Sequence, residues 1–181
     1  ALISAECDIG ENEELKLSNC AENLNINFSD GKVFIGAREI TDKIRDESIG
    51  IRASKISVFK SVRKTLLRSQ RDFARHPGLV ADGRDMGSIV FPNAFLKVFL
   101  SADATIRAER RYKQLIQKEI PCNIDDLLHE IKKRDLRDTN REVGSLNLAK
   151  DACSVYIDTS SKSIDEVVKV IVDEFSLKSS L

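Results

Sequence analysis

The clearest indication of the fold comes from residues 79–103, which read LVADGRDMGSIVFPNAFLKVFLSAD. Residues 79–81 are apolar and predict a short strand that runs into a polar loop with two glycines. Residues 96–100 predict a second strand, and Asp103 is placed to cap the helix that follows. A strand, a polar loop, a strand and a helix in this order predict an α/β fold with a parallel sheet. Such sheets bind ligands beyond the carboxyl ends of their strands, which is where the polar loop lies.

The residues that follow continue the alternation of helices and strands. Helical periodicity predicts helices over residues 104–117 and 123–139, and the apolar segment 154–158 predicts a further strand. Ser163 and Glu166 have the spacing of a capping box, so a last amphipathic helix is expected to begin there. The C-terminal two-thirds of the chain therefore reads as alternating α/β structure.

The residues before this stretch predict helices and a small antiparallel sheet. Residues 1–23 read as the end of one helix followed by a short second helix from Glu11 to Asn23. Residues 24–41 alternate apolar and polar side chains on both sides of Ser29-Asp30-Gly31, which predicts a hairpin with a possible third strand. Residues 48–75 read as one helix, stopped by His76-Pro77-Gly78.

Composition limits the classes of protein to which the chain can belong. The chain has 181 residues, which fits a single domain over residues 1–181, and 41% of them are hydrophobic. Lysine plus arginine equals aspartate plus glutamate at 29 each, so a basic nucleic-acid-binding surface is not expected. No apolar run approaches the roughly 18 residues of a membrane span. Four scattered cysteines and two histidines form no zinc pattern and suggest a reducing cytoplasmic location.

The polar loop is the first of three candidate binding clusters. In ADGRDMG, residues 81–87, two glycines let the backbone turn sharply, Arg84 offers a planar fork suited to phosphate, and Asp85 offers an acceptor. The alternative is a surface loop with an Arg–Asp ion pair.

The other two clusters are sets of arginines at helical spacing. Arg134, Asp138 and Arg141 are four and three residues apart, which places them on one helical face if the helix continues that far. These residues could bind a phosphate and a sugar hydroxyl. The alternative is that they form weak salt bridges on a solvent-exposed helix face. The third cluster consists of Arg107, Arg110 and Arg111. Such a cluster is ordinarily the exposed face of an amphipathic helix. Ser54 and Arg63 carry a weaker signal and would ordinarily be capping and surface residues.

Together these segments resemble the bacterial cytidylate kinases. The resemblance is carried by residues 78–100, by RAERRYKQL, KKRDLRDTNRE and DACSVYIDTSSKSIDEVV in that order, and by ASKISVFKSVRKTLLRSQRDF upstream; it covers essentially the whole chain. It implies a P-loop-kinase-like parallel sheet flanked by helices, an antiparallel insertion at 24–41 in the monophosphate-binding region, and a helical lid at 107–141. It implies a monomeric cytoplasmic transferase of pyrimidine metabolism that uses ATP and Mg²⁺ to phosphorylate CMP or dCMP.

The resemblance also implies roles for individual residues. Cytosine recognition falls to Ser54, Arg63 and Asp85. Phosphate contacts fall to Arg84 and Arg141, sugar contacts to Arg134 and Asp138, and ATP contacts in the lid to Arg110 and Arg107. The catalytic residues implied are Arg84, Arg110 and Arg141, and no residue is implied as a metal ligand.

One departure from the family pattern concerns the ATP phosphates. The sequence contains no G-x-x-x-x-G-K-[ST] motif, the loop that holds these phosphates in the family. We therefore expect the chain as given to be inactive and poorly stable, and the complete protein to be longer. The alternatives are a nucleotide-binding remnant without catalysis, or a kinase of the same fold for another monophosphate.

Overall fold

The computed structural model describes residues 1–140 and 145–180. The chain forms two compact units, of which the first, the N-terminal unit, comprises Ala1–Val80. The second, the C-terminal unit, begins at Ala81.

The N-terminal unit is built on four helices. Leu17, Ile56 and Val62 form its buried core, with Phe59 and Leu66 packed against it. The helices are α1 (Leu2–Glu6), α2 (Glu14–Glu22), α3 (Glu47–Ile56) and α4 (Lys60–Asp72), with a 3₁₀ turn at Lys43–Arg45. The predicted helices near the N-terminus are thus present, although the second begins at Glu14 and not at Glu11.

The small antiparallel sheet is confirmed. Strands β1 (Ile26–Ser29) and β2 (Lys32–Ile35) pair in register, and β3 (Arg38–Glu39) pairs with β2. Asp30 and Gly31 have φ values of 52° and 73°, the left-handed conformation that a two-residue hairpin turn requires. The Asp-Gly pair therefore fixes the register of β1 and β2.

The expectation of one helix over 48–75 is wrong, because the chain leaves the helical path at residues 57–59. The Ser57 hydroxyl donates to the Ser54 carbonyl at 2.8 Å, a local bond that competes with helix continuation. Phe59 is extended, with φ −74° and ψ 121°. The second helix, α4, then ends at Asp72, before His76-Pro77-Gly78.

The C-terminal unit has α/β structure around a parallel pair of strands. Strands β4 (Val98–Ser101) and β5 (Val155–Asp158) pair in parallel, with Val98 opposite Val155. Ala108, Leu115 and Leu127 form a buried core between two of the helices. The helices of this unit are α5 (Ala104–Gln117), α6 (Ile124–Thr139), α7 (Leu146–Asp151) and α8 (Ile164–Ser179), together with a π turn at Met86–Val90.

The caps predicted for this unit are confirmed. The Thr105 N–H donates to Asp103 Oδ1 at 2.7 Å at the start of α5. At the start of α8, the Ser163 N–H donates to the Glu166 carboxylate at 2.7 Å, and the Glu166 N–H donates to the Ser163 hydroxyl at 3.3 Å.

The strand expected at residues 79–81 is not formed. Leu79 is 45% exposed and Val80 is fully exposed, and among the described residues β4 and β5 are the only members of the parallel sheet. A strand needs a hydrogen-bonded neighbour, which an apolar composition does not supply. The segment instead lies where one unit ends and the other begins.

Candidate functional site

The glycine-bearing loop leads into the π turn, which holds the backbone after Arg84 in one conformation. The Val90 N–H donates to the Asp85 carbonyl at 3.1 Å and the Phe91 N–H to the Met86 carbonyl at 2.7 Å, both across five residues. Val90 anchors the turn, with 2% of its surface exposed. A Cβ at Gly87 would lie 3.1 Å from the Lys97 side chain, so a larger residue would require that side chain to shift.

The centre of the candidate site is the carboxylate of Asp138, on the last turn of α6. Asp138 is 2% exposed, and its Oδ2 atom is in contact with Nε of Arg84. Arg134, one helical turn earlier, has its Nε 3.8 Å from the same oxygen. Three residues that the sequence singled out are therefore brought together. The buried carboxylate fixes the position of Arg84 and is itself compensated by two guanidinium groups.

Arg134 lies in a strongly basic environment. Its pKa is lowered from the ordinary value, chiefly because burial disfavours the charged form and next because Arg84 carries the same charge. Asp138 raises the pKa, and Arg137 lowers it again. Arg137 is a member of this arginine cluster that the sequence analysis did not single out, although its place three residues after Arg134 is the signal that identifies it. The arginine cluster is defined as Arg84, Arg134, Arg137 and Asp138.

The two arginines expected in the lid are both bound to protein groups. Arg107 donates from Nη1 and Nη2 to the two oxygens of Asp135 at 3.0 and 2.5 Å, which joins α5 to α6. Arg110 donates from Nη2 to the Thr159 carbonyl at 2.5 Å. Neither contact belongs to the arginine cluster. Arg141, the remaining predicted phosphate residue, lies outside the described residues.

Ser54 and Arg63, both in the N-terminal unit, are linked through one residue. The Ser57 hydroxyl donates to the Ser54 carbonyl, and Nη1 of Arg63 donates to the Ser57 carbonyl at 3.2 Å. Ser54 is 6% exposed, and its hydroxyl has no hydrogen-bond partner. A buried hydroxyl without a partner is costly in a folded protein, so Ser54 is more than a surface residue. Asp85 lies half-buried in the C-terminal unit, directly before the π turn.

The donor set of these residues fits phosphate better than a cation. Within residues 1–140 and 145–180, no three His, Cys, Asp or Glu side chains are grouped so that they could hold a metal ion. Guanidinium groups donate hydrogen bonds and match the oxygens of a phosphate. In the same two ranges, no helix is both long and apolar enough to cross a membrane.

Comparisons with known proteins point to one family. A family model described as Cytidylate kinase matches residues 1–177. The chain is 47% identical over 173 residues to a cytidylate kinase from Polynucleobacter asymbioticus, covering 96% of this chain and 78% of that protein. A cytidylate kinase from Cupriavidus pinatubonensis is 47% identical over 160 residues, covering 88% and 72%. One from Burkholderia multivorans is 45% identical over 172 residues, covering 95% and 75%.

Proposed function

We propose that this chain, which belongs to the cytidylate kinase family, transfers a phosphoryl group from ATP to CMP or dCMP. The products are ADP and CDP or dCDP, which makes the chain a nucleoside-monophosphate kinase. The observation that carries the proposal is the buried Asp138 carboxylate, to which Arg84 and Arg134 are both directed. Phosphoryl transfer depends mainly on positioning and on neutralising the charge of the transferred group, and arginines do both.

The arginine cluster is the phosphate site of this proposal. Asp138 is almost completely buried and holds Arg84 through its Nε edge, so the remaining N–H groups of Arg84 have a defined direction. Arg134 carries a second positive charge at the same carboxylate. A phosphate dianion is the ligand that balances such an excess of positive charge. We place the CMP phosphate against Arg84, the sugar against Arg134 and Asp138, and Arg141 at the phosphates.

Base recognition is assigned to Ser54, Arg63 and Asp85. Cytosine presents an exocyclic amine, a ring nitrogen acceptor and a carbonyl, whereas uracil presents a carbonyl and a ring N–H at the equivalent positions. A hydroxyl, a guanidinium and a carboxylate supply donors and acceptors for the cytosine edge and are mismatched with uracil. The partnerless hydroxyl of Ser54 supports this assignment, because a ligand atom would satisfy it.

The proposed lid, residues 107–141, is made chiefly of α5 and α6. For Arg107 and Arg110 to contact ATP, each must exchange its present partner, Asp135 or Thr159, for a phosphate oxygen. Arg110 is exposed, so its exchange is the easier of the two. Closure of the lid would exclude water, which otherwise competes as phosphoryl acceptor.

ATP and Mg²⁺ complete the proposed reaction. When bound with ATP, Mg²⁺ neutralises charge on the β- and γ-phosphates. The guanidinium donors of the arginine cluster do not fit a cation, so these residues are not expected to hold the metal ion. We further propose that the enzyme is monomeric and cytoplasmic and that it has no nucleic-acid or membrane partners.

Calorimetric titration with CMP, dCMP, UMP, AMP and GMP tests this function at the level of binding. Binding is measured separately from turnover because the sequence has no glycine-rich motif for the ATP phosphates. We expect CMP and dCMP to bind at least about tenfold more tightly than UMP, because an unpaired buried polar group costs on the order of 1.4 kcal/mol or more. Preferential binding of AMP or GMP would replace the proposal with another monophosphate kinase.

A further inference from the structure

Arg137 has a pair of buried donors with no partner. It lies on α6, is half-buried, and neither its Nε nor its Nη2 makes a hydrogen bond. Removing guanidinium N–H groups from water without a compensating acceptor is among the costlier defects in a folded protein. An external acceptor is the simplest account of why the chain keeps this residue in this position.

The two donors form one edge of the guanidinium group. The N–H bonds of Nε and Nη2 point the same way along one side of the plane, which is the edge that binds two oxygens of a carboxylate or phosphate at once. A water molecule bound at this edge would leave the positive charge uncompensated. The geometry of the open edge therefore matches a planar pair of oxygens.

The carboxylates on the same helix leave this edge open. The Asp138 carboxylate forms an ion pair with Nε of Arg84 and lies close to Nε of Arg134. Asp135 is occupied on both oxygens by Arg107. The arginine cluster therefore contains three positively charged guanidinium groups and one carboxylate.

Arg137 also belongs to the arginine cluster by position. Arg134, Arg137 and Asp138 stand at spacings of three and four residues on one face of α6. The charge of Arg137 is near enough to lower the pKa of Arg134. An anion bound to Arg84 and Arg134 would thus lie in the field of Arg137.

We propose that Arg137 is a further phosphate-binding residue, whose Nε and Nη2 donate to two oxygens of a phosphoryl group held at the arginine cluster. This inference rests on the proposed function for the identity of the ligand, a nucleotide phosphate. That phosphate belongs either to the monophosphate acceptor or to the triphosphate donor.

The test compares nucleotides with nucleosides in calorimetric titrations of the wild type, Arg137→Ala and Arg137→Lys. CMP with cytidine reports on the acceptor phosphate, and ADP with adenosine reports on the donor phosphates. We expect Arg137→Ala to weaken one nucleotide at least about tenfold while its nucleoside is unaffected, because a charge-assisted bond is lost. Arg137→Lys keeps the charge without the fork and should lose an intermediate amount.

Lys132→Ala is the matched control. Lys132 is exposed on the opposite side of α6, and its substitution by alanine removes one positive charge from the same helix. It should leave every affinity within about twofold, as expected of a surface substitution. Unchanged affinities for both CMP and ADP in Arg137→Ala would overturn the inference, and so would equal weakening of nucleotide and nucleoside, which indicates a structural role. Because Arg137→Lys keeps a long cationic side chain, it serves as the second variant if Arg137→Ala does not fold.

Failure of the proposed function can be told apart from failure of this inference. If the wild type binds neither CMP nor ADP, the proposed function fails, and inorganic pyrophosphate becomes the probe for Arg137. Pyrophosphate binding that is lost in Arg137→Ala and retained in Lys132→Ala would support the inference. Absence of pyrophosphate binding, or equal binding by both variants, would overturn it.

Discussion

Buried polar atoms without partners occur both in the arginine cluster and in the segment around Ser54 in the N-terminal unit, the Ser54 segment. The atoms belong to charged groups in the arginine cluster and to a neutral group at Ser54. In the arginine cluster the partnerless atoms belong to guanidinium groups beside a carboxylate that is 2% exposed. In the Ser54 segment, which comprises Ser54, Ser57 and Arg63, the hydroxyl of Ser54 is neutral and has no partner, and Ser54 is 6% exposed. The first region is suited to an anion and the second to a directional hydrogen bond.

This difference indicates how affinity and specificity are divided. Charge-assisted hydrogen bonds are about twice as strong as neutral ones, and they recognise the phosphate that all nucleotides share. A buried hydroxyl contributes less energy and can donate or accept, so it discriminates between bases together with the Arg63 guanidinium, which can only donate. The arginine cluster should therefore control how tightly nucleotides bind, and the Ser54 segment should control which nucleotide binds.

The largest expected effect is on stability, from Asp138→Ala. Removing the buried carboxylate deprives Arg84 and Arg134 of their counter-charge. Because both arginine side chains are partly exposed, we expect a cost of up to about 3 kcal/mol, the lower limit for breaking a fully buried ion pair. Urea unfolding should show this loss in the free energy of unfolding. Asp126→Ala, an exposed acidic residue on the first turn of α6, is the control and should cost about 1 kcal/mol or less. Similar values for both variants would show that the arginine cluster does not depend on Asp138.

Arg84→Ala should produce the next largest effect, on nucleotide binding. Loss of a charge-assisted phosphate contact should weaken CMP by about 1.5–3 kcal/mol, roughly 10- to 150-fold. Since the phosphate is common to both ligands, UMP should weaken by the same factor. Calorimetry measures both, with circular dichroism to confirm folding. A change in the ratio of CMP to UMP affinity would contradict the division between the two regions.

Ser54→Ala should produce a smaller effect, confined to base preference. A neutral hydrogen bond contributes about 0.5–1.5 kcal/mol, so we expect CMP affinity to fall by roughly 2- to 10-fold, with UMP changed less. Ser57→Ala is a useful second variant, because it removes the bond to the Ser54 carbonyl while leaving the Ser54 hydroxyl in place. If Ser54→Ala weakens CMP and UMP equally, the hydroxyl does not contact the base.

The smallest expected effect comes from the capping box of α8, an exposed polar cluster whose groups are paired. The pKa of Glu166 is lowered from 4.5, first by the Ser163 N–H and next by the Ser163 hydroxyl. A carboxylate with a lowered pKa in the folded state stabilises the protein above its unfolded-state pKa, and this contribution is lost as the pH falls through the folded-state pKa. Urea unfolding of the wild type and Glu166→Gln should therefore differ at neutral pH and converge in acid. A difference that does not change with pH would contradict this.

Sequence predicted the elements whose signals are local. Asp103 and Ser163 mark the starts of α5 and α8, and Asp30-Gly31 marks the hairpin turn; each of these signals acts within a few residues. The break at residues 57–59 and the missing strand at 79–81 were not predicted. The break was missed although its hydrogen bond is local, because a serine inside a helix can also make such a bond without ending the helix. The strand was missed because a strand depends on a distant neighbour.

The candidate site was predicted in the same uneven way. The four-residue spacing predicted that Arg134 and Asp138 share one helix face, and the position of Arg84 in the glycine-bearing loop indicated that it is a candidate site residue. Sequence could not show that Arg107 is held by Asp135, nor that one edge of Arg137 has no partner, because both facts depend on how side chains pack in three dimensions. The ligand roles of these residues remain predictions.

The most direct test of the central claim is ADP formation from ATP and Mg²⁺, with CMP, dCMP, UMP, AMP and GMP offered separately as acceptors. For a protein that includes a glycine-rich loop for the ATP phosphates, we predict ADP formation that depends mainly on CMP or dCMP and that falls in Arg84→Ala. ADP formation that is equally fast with UMP, AMP or GMP, or that does not respond to any acceptor, would contradict the assignment of this chain as a kinase for CMP.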